Sequence, residues 1–247
     1  MNRFFIEKIN QVDKYIILDD SAQLHHLRDV LRIKPREKIA VFDNSGYEFV
    51  VLVLEIGQIS AKLEIIEKIL YNQSGIRITV ACAIPKKAKM DDIIDKLTQL
   101  GVECVIPLET ERVIIKLNKQ KKIERLERWK SIALSAAKQS GRSKLSVVKP
   151  ISELKDIIIG AHDYDLKLIP TLEGKRKKLK DIFSMSPTVA TIKNILILIG
   201  PEGDFTPKEV SLAVEAGFLP ISLGKQVLRV DTAAIAVVSF IKLNEEY

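Results

Sequence analysis

The sequence predicts an α/β protein with two parts. A small, mostly β module comes first, and a C-terminal domain built on a mainly parallel sheet follows. Three observations carry this expectation. Segments such as NILILI and IRITVACAI are apolar without alternation, the pattern of strands covered on both faces. From Ile76 onward such segments alternate with helical patterns, the order that builds parallel sheets. The first 70 or so residues lack that alternation, and the polar stretch LYNQSG (70–75) separates the two regimes. The domains are therefore set at 1–72 and 73–247.

The elements follow in order. Ser21 is placed as the cap of a helix whose Leu24, Leu27 and Leu31 recur at helical spacing. KIAVFDNSGYEFVVLVLEI reads as two strands joined at Asp43-Asn44-Ser45-Gly46, a hairpin signal, and ISAKLEIIEKI as a further strand. IRITVACAI is the first strand of the second part. KMDDIIDKLTQLG is a helix that gathers Met90, Ile93, Ile94, Leu97 and Leu100 on one face and stops at Gly101. The strand VECVIPL comes next. A long helix over KIERLERWKSIALSAAKQSG then turns Leu126, Trp129, Ala133, Ala136 and Ala137 inward, with Trp129 read as core. The strand DYDLKLIPT leads to a basic stretch at 175–180, read as a solvated loop. NILILI, a helix from Pro207, the strand LPISL and a closing helix over DTAAIAVVSFIKLN complete the chain.

Composition narrows the function classes. With 47% hydrophobic and 29% charged residues the chain reads as an ordinary globular protein, and no 18-residue apolar run offers a membrane span. The first ten residues, MNRFFIEKIN, carry charge and lack the apolar core of a secretory signal. Cys82 and Cys104 sit in apolar runs and read as buried reduced thiols, which points to the cytoplasm. Three histidines and no C-x-x-C leave no metal site expected. The net charge of +7 suits a polyanionic partner without requiring one.

The chemistry concentrates in LILIGPEGDFTPKEV (196–210). Thr206 with Glu209 three residues later forms a capping-box pattern, and Pro207 fits the first helical position. The stretch is thus strand, turn, helix. Gly200 and Gly203 allow positive φ or close ligand approach, and ligands of open α/β sheets collect at such strand ends. An idle turn is the competing reading. Neither a Walker A loop nor G-x-G-x-x-G is present. A second glycine turn at 223–229 follows LPISL and also enters a helix. Together the two could wall one pocket, suited to an adenine and an uncharged sugar rather than to a triphosphate.

These residues resemble the RsmE-type 16S rRNA uridine-N3 methyltransferases of the SPOUT superfamily. LILIGPEGDFTPKEV and ISLGKQVLRVDTAAIAVVS carry the resemblance. HHLRDVLRIK (25–34), KMDDIIDKLTQLGVECVIPLETERV (89–113) and RWKSIALSAAKQSGR (128–142) extend it over nearly the whole chain, in the family's order. It implies an RNA-binding, PUA-like N-terminal β-barrel and a C-terminal SPOUT domain with a deep trefoil knot. It further implies S-adenosylmethionine as methyl donor, the small-subunit decoding region of 16S rRNA as substrate, and a homodimer with the pocket near the subunit interface. The cofactor loops would comprise Ile169, Pro170 and Thr171; Ile199, Gly200, Pro201 and Gly203; and Leu223, Gly224, Val227 and Leu228. This chain departs from the family at Gln226, where arginine is common, and at Asp231, where glutamate is common. It departs again at Asp204, where a third glycine is frequent, and KPREK (34–38) replaces a Lys-Gly-Asp-like turn.

Methyl transfer from sulfonium to nitrogen is an in-line displacement whose main requirement is alignment. Uracil N3 carries a proton at neutral pH, so a base or a cation that stabilises the imide anion is expected. The candidates are Glu202, Arg229 and Asp231. Each has a structural alternative: Glu202 as loop brace or cofactor contact, Arg229 in a salt bridge, Asp231 as an acid at a helix start. For RNA contact the candidates are Arg3, Arg32, Lys86, Lys87, Lys89, Arg112 and Arg142. His25 and His26 diverge by about 100° on their helix, which leaves one to pack and the other to face RNA. Two rival functions stay open: a methyltransferase for another RNA base, and a non-catalytic RNA-binding ribosome assembly factor. A nicotinamide oxidoreductase lacks its glycine-rich first turn.

Overall fold

The computed structural model describes residues 1–70, 75–85, 89–112, 117–184 and 192–245. The chain splits into two compact units, Met1–Ser74 with Ala137–Leu145, and Gly75–Ala136 with Ser146–Tyr247. The sequence boundary lies close to the first break, but nothing in the periodicity assigned 137–145 to the first unit.

The first unit holds β1 (Arg3–Phe5), β2 (Asn10–Val12), β3 (Tyr15–Leu18), α1 (Ser21–His25), β4 (Lys38–Phe42), β5 (Tyr47–Ile56) and β6 (Ala61–Leu70). They form one six-stranded sheet in the order β1-β4-β5-β6-β3-β2. Only β1 with β4 is parallel. The hairpin between β4 and β5 turns where the sequence places it, with Asn44 at φ 74° and Gly46 at φ 90°. Phe4, Leu18, Ile39, Val51, Leu63 and the helical Leu24 and Leu27 share its core.

Two expectations are corrected here. The cap of α1 is Asp20, whose carboxylate accepts the Gln23 N–H, so Ser21 is already the first helical residue. A π-helical turn at His26–Val30 then inserts an extra residue per turn. That rotation takes Leu31 off the buried face, and it stands exposed. His26 lies 5.6 Å from the Phe4 ring, and burial pushes its pKa down; His25 is exposed and bonded to Asp29.

The Arg3 guanidinium pairs with the buried Glu48 carboxylate, donates to the carbonyl of Arg142 and the hydroxyl of Ser143, and lies over the Phe42 ring. A side chain so enclosed acts as a brace within the first unit. Its reason is electrostatic: a buried carboxylate needs a cation beside it.

The second unit holds β7 (Arg77–Ala83), α2 (Lys89–Gln99), β8 (Cys104–Glu109), α3 (Lys119–Gln139), β9 (Val147–Val148), β10 (Ser152–Glu153) and α4 (Leu154–Ile159). These are followed by β11 (Leu166–Pro170), β12 (Lys177–Lys178), α5 (Leu179–Ser184), β13 (Asn194–Ile199), α6 (Pro207–Glu215), β14 (Leu219–Ser222) and α7 (Val230–Glu245). The last residues of α3 belong to the first unit. The sheet runs β10-β8-β7-β13-β11-β14-β12, with β9 beside β8. Every pair in it is parallel. The basic stretch is therefore not a plain loop: Lys177 and Lys178 form the exposed edge strand and α5 follows.

One face of this sheet carries a core that includes Ile93, Leu97, Trp129, Val237 and Ile241, the other a core around Leu198, Phe205 and Phe218. This two-sided cover is why the strands are apolar throughout. Trp129 is core as expected, and its indole N–H donates to Asp91 at 3.1 Å. Cys82 and Cys104 are free and buried; burial pushes the Cys82 thiol well up and that of Cys104 to about 11. No described helix is long and apolar enough to cross a membrane.

Replacing Glu48 by Ala strands the Arg3 charge, and a cost of about 3 kcal/mol is expected for a broken buried pair. Faster amide exchange across β4 and β5 will report it. A double replacement, Arg3→Met with Glu48→Leu, should recover most of the protection, because it removes both charges.

Candidate functional site

The site is set by strand order. β14 pairs with β11 rather than with β13, so the chain crosses from one side of β11 to the other through α6. Three parallel strands thus end side by side, and the loops that leave them meet. Asp165 fixes the opposite end: its carboxylate accepts the N–H groups of Lys193 and Asn194 at 2.8 Å each, which lowers its pKa and aligns β13 with β11.

At the carboxyl ends the loops line a cavity of about 70 Å³ that opens to solvent. Ten of the residues singled out in the sequence line it: Pro170, Thr171, Ile199, Gly200, Pro201, Glu202, Leu223, Gly224, Val227 and Leu228. Ile169 does not, because its side chain is buried in the core around Phe205. Gly203 does not either. Gln226, inside the loop at 223–228 that the resemblance implies, also lines it; Leu172, Arg176, Asp204, Ile221, Val230 and Ala233 complete the lining and were missed. Gln226 and Asp204 had been marked as departures, which was the available signal. Val230 and Ala233 lie one turn apart at the start of α7, a spacing that also fits plain core.

The glycines behave differently from one another. Gly224 sits at φ 125°, a conformation that favours glycine. Gly200 and Gly203 are not at positive φ. A Cβ on Gly200 would meet the ring of the buried Phe205 at 3.0 Å, so packing of the loop's own phenylalanine excludes a side chain there. At Gly203 the nearest atom is 3.6 Å away, on Arg112, an ordinary contact.

Arg112 donates to the carbonyls of Gly203 and Phe205. One nitrogen of its guanidinium, expected to meet RNA, holds the loop, and the residue is exposed. From the far side, Asp204 ties the same loop to β11: its carboxylate accepts the Thr171 hydroxyl at 3.0 Å and the Leu172 N–H at 2.8 Å. The α6 start closes the frame. Thr206 and Glu209 form the expected capping box, and the buried Glu209 also accepts the Glu111 N–H at 2.9 Å.

Of the three catalytic candidates, Glu202 lines the cavity, and Arg229 and Asp231 do not. Asp231 is a helix-start acid: one carboxylate oxygen accepts the Thr232 N–H and the other stands 3.8 Å from the ammonium of Lys89. That pairing favours the helix-start alternative for Asp231 and engages Lys89. Arg229 is exposed just before α7. Both Asp231 and Glu202 lie near enough to Cys82 to help raise its thiol pKa. Arg32 is exposed in the first unit at φ 51°, and Arg142 lends its carbonyl to Arg3. Lys86 and Lys87 lie outside the described residues. Among the described residues no cluster of three metal-ligating side chains occurs.

A Gly200→Ala replacement is expected to cost about 1–3 kcal/mol, the range for an overpacked core. The urea midpoint of the second unit, followed by the fluorescence of its one tryptophan, measures it. Adding Phe205→Leu should return part of that loss, and strict additivity of the two changes would contradict the packing account.

A family model described as an RNA methyltransferase domain matches residues 72–242, and one described as an RNA methyltransferase PUA domain matches residues 18–66. The chain is 32% identical over 236 residues to the ribosomal RNA small subunit methyltransferase E of Mesomycoplasma hyopneumoniae, covering 95% of this chain and 96% of that protein. It is 28% identical over 254 residues to the protein of the same name from Bacillus subtilis, covering 100% and 98%. A solved structure of ribosomal RNA small subunit methyltransferase E from Neisseria gonorrhoeae, bound to S-adenosyl methionine, superposes with a TM-score of 0.85 at 32% identity. The superposition covers 98% of this chain and 97% of that one.

Proposed function

This chain belongs to the RNA methyltransferase family, and from that premise we propose that it transfers a methyl group from S-adenosylmethionine to N3 of a uridine in 16S ribosomal RNA. The observation that carries the reading is the convergence of three strand-end loops on one cavity, in a chain that aligns end to end with small-subunit rRNA methyltransferases.

The lining of the cavity fits the cofactor in its donor set. Leu223, Val227 and Leu228 offer apolar surface to a purine, backed by the buried Ile199, Ile221 and Val230. Arg176 and Glu202 bring one basic and one acidic side chain to its lining, suited to a ligand that carries both a carboxylate and an ammonium. When bound, S-adenosylmethionine supplies an electrophilic methyl group on a sulfonium.

What the chain itself contributes is alignment and a place for one proton. The loops at 170–172, 199–205 and 223–228 hold the donor by backbone and apolar contact. We assign the N3 proton to Glu202, the carboxylate candidate on the cavity wall, and RNA contact to the exposed Arg229 and Arg32. The first unit takes the RNA-binding role that its PUA match suggests. Val227, 70% exposed, and Leu172, 47% exposed, stand at the cavity mouth, and Ala236 and Phe240 line the adjoining groove. Apolar surface of this kind beside a site supports a homodimer that covers it. The cytoplasm, where ribosomes are modified, is the proposed location.

Mass spectrometry of nucleosides from 16S rRNA tests the function. A strain without the gene should lack a single N3-methyluridine that the wild-type gene restores, and an unchanged profile would contradict the proposal. For Glu202→Gln, kcat should fall by about 100-fold with cofactor affinity kept. An unchanged kcat would remove Glu202 from the chemistry.

A further inference from the structure

Asp204 stands in the left-handed region at φ 59°, a conformation unfavourable for a residue with a side chain. Something must hold it there, and its carboxylate shows what. One oxygen accepts two donors across the gap between loops, the Thr171 hydroxyl at 3.0 Å and the Leu172 N–H at 2.8 Å. The other accepts the adjoining Phe205 N–H at 2.9 Å, and the Asp204 N–H closes the turn onto the Pro201 carbonyl at 2.9 Å. Thr171 is itself buried, and its carbonyl takes the Arg176 guanidinium at 3.1 Å.

We propose that Asp204 is a positioning residue whose carboxylate staples the loop after β13 to the loop after β11, and so sets the width of the cofactor cavity between them. The proposal rests on the reading of that cavity as the S-adenosylmethionine site. Both stapled loops line the cavity: Pro170, Thr171 and Leu172 on one side, Gly200, Pro201 and Glu202 on the other. Parallel strands leave the ends of β11 and β13 with no hydrogen-bond ladder beyond Leu168–Ile197. Past that point the two strands no longer pair with each other, β11 being held by β14 and β13 by β7, and the Asp204 carboxylate is a side-chain link across the gap between their loops. Bonds to an ionised acceptor are stronger than neutral ones, which suits one group to this task. The staple touches neither the methyl group nor the RNA base, so its effect falls on binding.

The test compares the full-length wild type with Asp204→Gly and Asp204→Asn. Glycine adopts φ near 59° without strain, so the first variant removes the staple and keeps the turn. Asparagine keeps one carbonyl acceptor for Thr171 and Leu172 but sets an NH2 against the Phe205 N–H. Calorimetric titration with S-adenosylmethionine should show the dissociation constant raised about tenfold or more in Asp204→Gly and by less in Asp204→Asn, the order expected when hydrogen bonds to an ionised acceptor are lost. Rates at saturating cofactor should stay within about threefold of wild type, a split that a general loss of stability would not produce. Thr171→Val should weaken binding alone and add little on top of Asp204→Gly. Binding by Asp204→Gly equal to wild type would overturn the staple while leaving the function reading in place. Failure of the wild type itself to bind would overturn the function reading, and this role with it.

Discussion

The pairing of β14 with β11, across from β13, is the constraint on which the rest of the second unit depends. A strand laid on the far side of β11 forces the chain through a crossing and brings three carboxyl ends to one edge. Those ends carry backbone groups that no ladder satisfies, so side chains must take them up. Asp204 serves the β11 side, Arg112 the carbonyls of Gly203 and Phe205, and Glu209 the α6 start together with the Glu111 N–H. Each is polar, and each acts on backbone. The loops are consequently a framed set of surfaces rather than three independent turns.

That arrangement explains why charge is a poor guide to partners in this chain. Arg3 and Arg112 were both expected at an RNA surface, yet one neutralises the buried Glu48 and the other holds loop carbonyls. Lys89 faces Asp231. An excess of basic residues fixes the sign of the long-range field, but it does not tell which cations are consumed within the fold. Only their neighbours in space decide that.

Legibility followed the range of the interactions. The hairpin at 43–46, the capping box at Thr206 and Glu209, and the stop at Gly101 depend on residues within four positions of one another, and each lies where the sequence placed it. Periodicity gave the buried faces of α2 and α3 for the same reason. The turn at His26–Val30 was not legible, because a π-helical turn has no composition of its own and shifts the phase silently. The need for glycine at position 200 was visible in sequence, but its cause was not, since Phe205 must first fold back onto it. Eight of the seventeen lining residues were found through two glycine turns, and Pro170 and Thr171 through the family resemblance. Leu172, Arg176 and Ile221 were not, because they become neighbours only once β14 crosses β11.

The central claim is that the three strand-end loops form one binding surface for S-adenosylmethionine. Hydrogen–deuterium exchange of the full-length protein with and without the cofactor tests it most directly. New protection should appear together in the segments at 170–172, 199–205 and 223–228 and nowhere of comparable strength in the first unit. Protection in only one of these segments, or in none, would contradict the account.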